Sequence, residues 1–172
     1  MHKNILIIML LLSLSVCQLK IGFDFNSDFE SNGYTNNLDM GFFIGFESPA
    51  NDDNKTYYGI EYLFPTDLDD SNASLALLTI YGKYKFMEDE NLSCFGKLGY
   101  TFPELNFDDD YYNVDISGGF MYGIELSFDN ISFSYTINNG EIGIPEYYYY
   151  GYYSGNSDHN ITMTRMSASY SF

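Results

Sequence analysis

The sequence has no tryptophan, only four prolines and two cysteines, and only seven basic residues against twenty-four acids. Each shortage removes a class of protein. A formal charge of −17 excludes nucleic acid as a natural partner, because a phosphate backbone requires a basic face. Two thiols supply neither a zinc cluster nor a disulfide framework. Beyond the first residues no stretch approaches the ~18 consecutive apolar residues of a membrane helix. Long Leu/Ala/Glu/Lys runs of helical character are missing as well. What is present instead is eighteen Tyr and fifteen Phe in a one-domain length of 172 residues. Aromatic and β-branched side chains suit a pleated surface, so the composition points to an all-β fold.

Residues 1–17 have the character of a signal peptide. His2 and Lys3 make a short polar start, Ile5 to Leu12 with Leu14 an apolar core too short to span a bilayer, and Ser13, Ser15 and Cys17 a small-residue exit. Cleavage is expected after Ser15 or Cys17. The run Leu14-Ser15-Val16-Cys17 also resembles a lipoprotein box, which leaves Cys17 either lipidated or removed. The remaining chain, 18–172, is expected to form one domain in an oxidising compartment; if Cys17 is removed, Cys94 is left without a thiol to pair with.

Eight segments with a period of two follow, at roughly 18–27, 37–47, 56–65, 74–87, 92–102, 114–128, 131–138 and 161–172. Most are close to the 9–11 or so residues that a tilted transmembrane strand needs. The connections alternate. Glu88 to Asn91 and Asp129-Asn130 are short, whereas Pro103 to Asn113 and Asn139 to Asn160 are long. Short turns at one end and long loops at the other are the pattern of membrane barrels. Ser48 to Lys55 is longer than that pattern prefers.

The two faces of these segments differ sharply. One parity holds Ile21, Phe23, Leu38, Met40, Phe42, Ile60, Ala76, Ile80, Cys94, Leu98, Ile124, Phe133 and Met166, among others, and no charged residue. The other is polar and often small. It holds Lys20, Lys83, Lys85, Lys97 and Arg165 facing Asp24, Asp39, Glu47, Glu61 and Glu125, with glycines between. An apolar face this continuous is too large to leave wet, and the arrangement apolar-out, charged-in is the membrane one. The expected fold is therefore an eight-stranded antiparallel up-and-down transmembrane β-barrel. Aromatic residues cluster towards both ends of the strands, as interfacial girdles do. The alternative is a secreted soluble β-barrel or β-sandwich that buries the apolar face.

The last residues, Met166 to Phe172, alternate and end on an aromatic, with Tyr170 and Phe172 on the apolar parity. This resembles the terminal strand of bacterial outer-membrane proteins. The chain 18–172 is similar in architecture to the small outer-membrane β-barrel family that includes the OmpA-type transmembrane domain, OmpX and the opacity proteins. The resemblance implies a Gram-negative outer membrane, lipid and lipopolysaccharide as surroundings, and recognition of Tyr170 and Phe172 by the barrel-assembly machinery. Two features depart from that family: nothing follows Phe172, so the peptidoglycan-binding domain of many OmpA-type proteins is not expected, and the loops are acidic and Tyr-rich, unlike the basic patches of heparin-binding opacity-type adhesins.

Three groups of residues are candidates for function. Glu61, Lys83, Lys97, Glu125 and Arg165 project inward and are expected to pair, since an unpaired buried charge costs several kcal/mol. They form either a structural plug or, as the OmpA resemblance implies, the gate of a narrow ion path. Tyr147, Tyr148, Tyr149, Tyr150, Tyr152 and Tyr153 lie in the longest loop, where tyrosine provides contact area with a polar tip. They serve an unidentified extracellular ligand or simply extend the neighbouring strands. Acidic breaks such as Asp67, Asp69 and Ser71 have the opening spacing of a calcium loop but lack its Gly and closing Glu, so no metal is expected. His159, near Ser154, Ser157 and Asp158, has no orienting partner at convincing spacing, so neither catalysis nor a cofactor is expected.

Overall fold

A computed structural model of the protein describes residues 17–31, 33–51, 53–68, 73–107, 115–144, 147–149, 152–154 and 157–172. The expected signal peptide lies, but for Cys17, outside the described residues. Alternating large apolar and polar residues leave a strand one dry and one wet face, and every regular element described is a strand. In chain order these are β1 (Gln18–Ser31), β2 (Tyr34–Leu38), β3 (Gly41–Pro49), β4 (Thr56–Asp67), β5 (Ala73–Asp89), β6 (Leu92–Phe107), β7 (Asp115–Ser117), β8 (Gly119–Phe128), β9 (Ile131–Ile144), β10 (Tyr147–Tyr149), β11 (Tyr152–Ser154) and β12 (Ser157–Ser171).

Eight of them close a ring, in the order β12, β1, β3, β4, β5, β6, β8, β9 and back to β12. Every neighbouring pair is antiparallel. Closure satisfies the backbone of the wall without a free edge, which is the condition for strands to cross a bilayer. Two of the three turns at one end are short: Glu90-Asn91 joins β5 to β6, and Asp129-Asn130 joins β8 to β9, whereas residues 50–55 make the longer connection from β3 to β4. Asp129 takes a left-handed φ of 50°, a conformation that Asp and Asn tolerate in tight hairpins. Both ends of the barrel sequence, Gln18 and Phe172, lie at this turn end, where the Phe172 amide donates to the Leu19 carbonyl at 2.9 Å.

The outer wall carries the apolar parity. Phe23, Phe42, Ile60, Ile80, Leu98, Tyr122, Ile124, Phe133 and Met166 all stand exposed on it. Ala76 and Cys94, assigned to that face, are covered instead, at 1% and 6% exposed.

The loop end departs further from the sequence reading. The segment expected at 37–47 is broken at Asp39 and Met40. β2 and β3 make one descending run interrupted there, opposite a bulge at Phe25 in β1. Leu38 consequently packs against the buried core instead of facing outward, and Asp39 is exposed rather than lumenal. The longest expected loop is largely strand. β9 and β12 remain paired from Ile131↔Tyr170 up to Ile144↔Ser157, and β10 and β11 form a further hairpin between them. Fourteen residues of β9 extend about 48 Å along the strand at ~3.4 Å each, more than a bilayer requires, so the excess stands clear of it.

Candidate functional site

The lumen is built in three layers. At the turn end a charged ring closes on itself. Lys20 Nζ lies 3.2 Å from Glu47 Oε1 and 2.7 Å from Glu125 Oε2. Lys83 Nζ lies 2.5 Å from Glu47 Oε2 and 2.7 Å from Glu125 Oε1. Two lysines thus alternate with two glutamates contributed by β1, β3, β5 and β8. Lys97 adds a contact of 3.5 Å to Glu125 and sits 4.1 Å above the Tyr81 ring, while the Tyr81 hydroxyl donates to Glu47. Cation–π placement of this kind stabilises a desolvated ammonium.

Arg165 organises the next level. It donates from Nε and Nη2 to Asp24 at 2.6 and 3.0 Å, and from Nη2 to Glu61 at 3.0 Å. A planar guanidinium serves two carboxylates from a fixed fork, which a lysine cannot do. Above it, Thr79, Thr101 and Asn138 are linked by hydrogen bonds of 3.1 and 2.8 Å. Among the described residues four bases, Lys20, Lys83, Lys97 and Arg165, and four acids, Asp24, Glu47, Glu61 and Glu125, are buried in the lumen, so their charges balance. Lys85 is the fifth inward base, but it lies at the turn-end mouth, where it pairs with the exposed Glu88 at 2.7 Å.

The third layer was not legible as such in the alternation. At the loop end the lumen is filled by Phe29, Leu63, Leu68, Leu75, Leu77, Ile161 and Met163, with Phe43 beneath them. The space between Arg165 and the Leu63, Leu75 and Leu77 side chains has no room for a water molecule. The polar half of the lumen, by contrast, opens at the turn end into a vestibule of about 230 Å³ lined by Lys85, Glu88, Ser93, Ser127 and Ser132. Inward aromatic rings fit because neighbouring strands present glycine. A Cβ on Gly22 would strike the Phe43 ring, and one on Gly59 or Gly99 would strike Tyr81.

All five residues singled out for the lumen, Glu61, Lys83, Lys97, Glu125 and Arg165, are buried. They fall into two groups: Arg165 holds Glu61, while Lys83 and Lys97 hold Glu125. Lys20, Asp24, Glu47 and Tyr81 complete those groups. Their signal was present, since three of them are charged residues on the polar parity. In the tyrosine run, β10 pairs with β11 at Tyr147↔Ser154, Tyr148↔Tyr153 and Tyr149↔Tyr152; Tyr150 lies outside the described residues. Tyr170 and Phe172 stand exposed beside one another on the outer wall, ring centroids 4.8 Å apart. His159 lies in β12 opposite Ile142 of β9. Among the described residues no group of three or more His, Cys, Asp or Glu is placed to hold a metal ion.

A closed eight-stranded wall, apolar outside and charge-paired inside, defines a transmembrane β-barrel of the outer-membrane type. The comparisons agree on the fold. The structure of Neisserial surface protein A is similar over 91% of this chain and 97% of its own, with a TM-score of 0.60 at 9% identity. That of Ail, the attachment invasion locus protein of Yersinia pestis, is similar over the same shares, with a TM-score of 0.51 at 16% identity. No family profile and no curated protein matches the sequence.

Proposed function

We propose that this protein works from its outer surface, as a closed, non-catalytic barrel of the outer membrane that holds an acidic, tyrosine-rich hairpin out to an extracellular partner. The observation that carries this reading is the division of the lumen: an apolar layer fills its loop end, while β9, β12, β10 and β11 continue the wall outward. Glu30, Asp39, Asp67, Glu104, Glu141 and Asp158 are exposed at or near that end, and every described lysine and arginine lies elsewhere. A uniformly acidic rim favours a basic partner and makes its association rate sensitive to salt. Ail, whose fold is similar, is named for attachment and invasion, a name consistent with work done at the loop end. Lipid and lipopolysaccharide surround the wall, and Tyr170 and Phe172 serve the barrel-assembly machinery.

The test is deletion of residues 145–156 from the surface-expressed protein, followed by binding of the cells to host-cell and matrix ligands. Loss of binding with an intact heat-modifiable barrel supports the reading, and unchanged binding to every ligand refutes it. A narrow ion path is the second reading, favoured by the charge-lined lumen and its open vestibule. In planar bilayers it requires the wild type to conduct and Arg165→Ala to alter that conductance.

A further inference from the structure

The outer wall is not uniformly convex. A groove of about 680 Å³ crosses it between Tyr58, Ile80, Leu98, Tyr100, Phe102 and Phe120, with the backbone of Gly82 and Gly99 as its floor. Gly82 faces outward, opposite Leu98 in the β5–β6 pair. The conformation of Gly82 is ordinary extended strand, because the one glycine with positive φ among the described residues is Gly33. A Cβ built on Gly82 would meet only the Tyr57 carbonyl, at 3.8 Å, and one on the diagonal neighbour Gly96 would meet nothing. The inward glycines are different: Gly22, Gly59 and Gly99 make room for Phe43 and Tyr81. Glycine inside a strand lowers stability relative to alanine. Among the described residues nothing but the Tyr57 carbonyl approaches the space beside Gly82, which leaves it open to a group from outside the chain.

The groove is apolar and lies in the bilayer zone. From Leu98 to Phe102 it follows β6 for about 13 Å at ~3.3 Å per residue, close to one leaflet of a hydrocarbon core about 30 Å thick. Its upper end reaches the aromatic girdle of Tyr100, Phe102 and Phe120, where headgroups begin. A flexible chain that enters at the girdle and ends near mid-bilayer has this shape. A second copy of the barrel does not suit it: Leu98 and Phe120, 66% and 69% exposed, stand proud of the groove. The charge of −17 would also bring two acidic rims side by side.

We propose that this groove binds one acyl chain of an outer-leaflet lipid and retains it when bulk lipid is stripped away. The inference goes beyond the surface-interaction reading and does not depend on the loops. The test is native mass spectrometry of the full barrel, refolded in mild detergent and titrated with lipid A, the acylated anchor of the outer leaflet's lipopolysaccharide. Each barrel is first shown to be folded by its heat-modifiable gel shift. The wild type is expected to retain one lipid. Gly82→Leu, which fills the floor, should weaken retention about tenfold, the effect of displacing two methylene groups. Ile44→Leu, on the wall away from the groove, should leave it unchanged. Equal retention by Gly82→Leu, or no retained lipid on the wild type, overturns the proposal. A wild-type dimer that Gly82→Leu splits overturns it in favour of a second copy.

Discussion

Arg165 is the residue whose removal tests the account of the lumen most directly. It is 5% exposed, donates twice to Asp24 and once to Glu61, and lies with its guanidinium 5.8 Å from the Phe43 ring centroid. Arg165→Met keeps much of the side-chain volume and removes the charge. Asp24 and Glu61 are then left buried without their donor, and the lumen carries one uncompensated negative charge. Breaking a buried pair on one side costs about 3–5 kcal/mol, chiefly because the surviving charge has no water and no partner. Removing Arg165 and Asp24 together is less damaging, because the lumen then holds three bases and three acids and its charge balances again. The double variant Arg165→Met, Asp24→Asn should therefore recover much of the loss. The assay is urea unfolding of the refolded barrel in lipid vesicles, followed by the heat-modifiable gel shift. A single variant within about 1 kcal/mol of the wild type would refute the argument, as would a double variant no more stable than the single.

Other substitutions separate the remaining layers. Leu75→Ala, in the apolar loop-end layer, should cost about 2–5 kcal/mol in the same assay, because it leaves a cavity in a packed cluster. The double change Leu75→Ser, Leu77→Ser should admit ions in planar bilayers if the apolar layer is what closes the lumen; an unchanged conductance would place the closure elsewhere. Tyr81→Phe removes a hydrogen bond to the Glu47 carboxylate and is expected to cost about 1.5–3 kcal/mol, read from the shift in urea midpoint. Lys85→Ala should change stability by less than about 1 kcal/mol, since its partner Glu88 is largely solvent-exposed; a larger loss would mean that the vestibule is drier than its geometry.

How far the site was legible follows from what alternation can and cannot encode. Lys20, Lys83, Lys97, Glu47, Glu61, Glu125 and Arg165 all lie on one parity of their strands, so their common inward direction is a local property. Which acid meets which base is not local. Lys20 and Glu125 are 105 residues apart and meet through the ring closure and the stagger of six strands. The apolar layer had a signal too. Phe42-Phe43-Ile44, Tyr62-Leu63-Phe64 and Leu75-Ala76-Leu77-Leu78 are apolar on both parities, as a strand with two dry faces must be. Bulges hid the rest. The extra residue at Phe25 shifts the parity of β1, so that Ser27 and Phe29 turn inward where strict alternation would send them out. The Ser27 hydroxyl, carried in by that shift, is the one buried side-chain polar atom without a partner among the described residues.

The sequence by itself determined the class of fold. The period of two, the charge-free parity and the contrast between short and long connections act within a strand or between adjacent strands, and they leave a closed membrane wall as the consistent solution. Only the tertiary structure decided what the wall encloses: a ring of two lysines and two glutamates, an arginine shared by two carboxylates, and an apolar layer over both. The physical reason is that these groups come from strands distant in sequence, and their distances depend on register and bulges that no single strand specifies. The same holds for the hairpin of β9 and β12. Its residues look like loop, because Asn, Gly and Tyr lack an apolar stripe, yet the partner strand beside them keeps the ladder running past the bilayer.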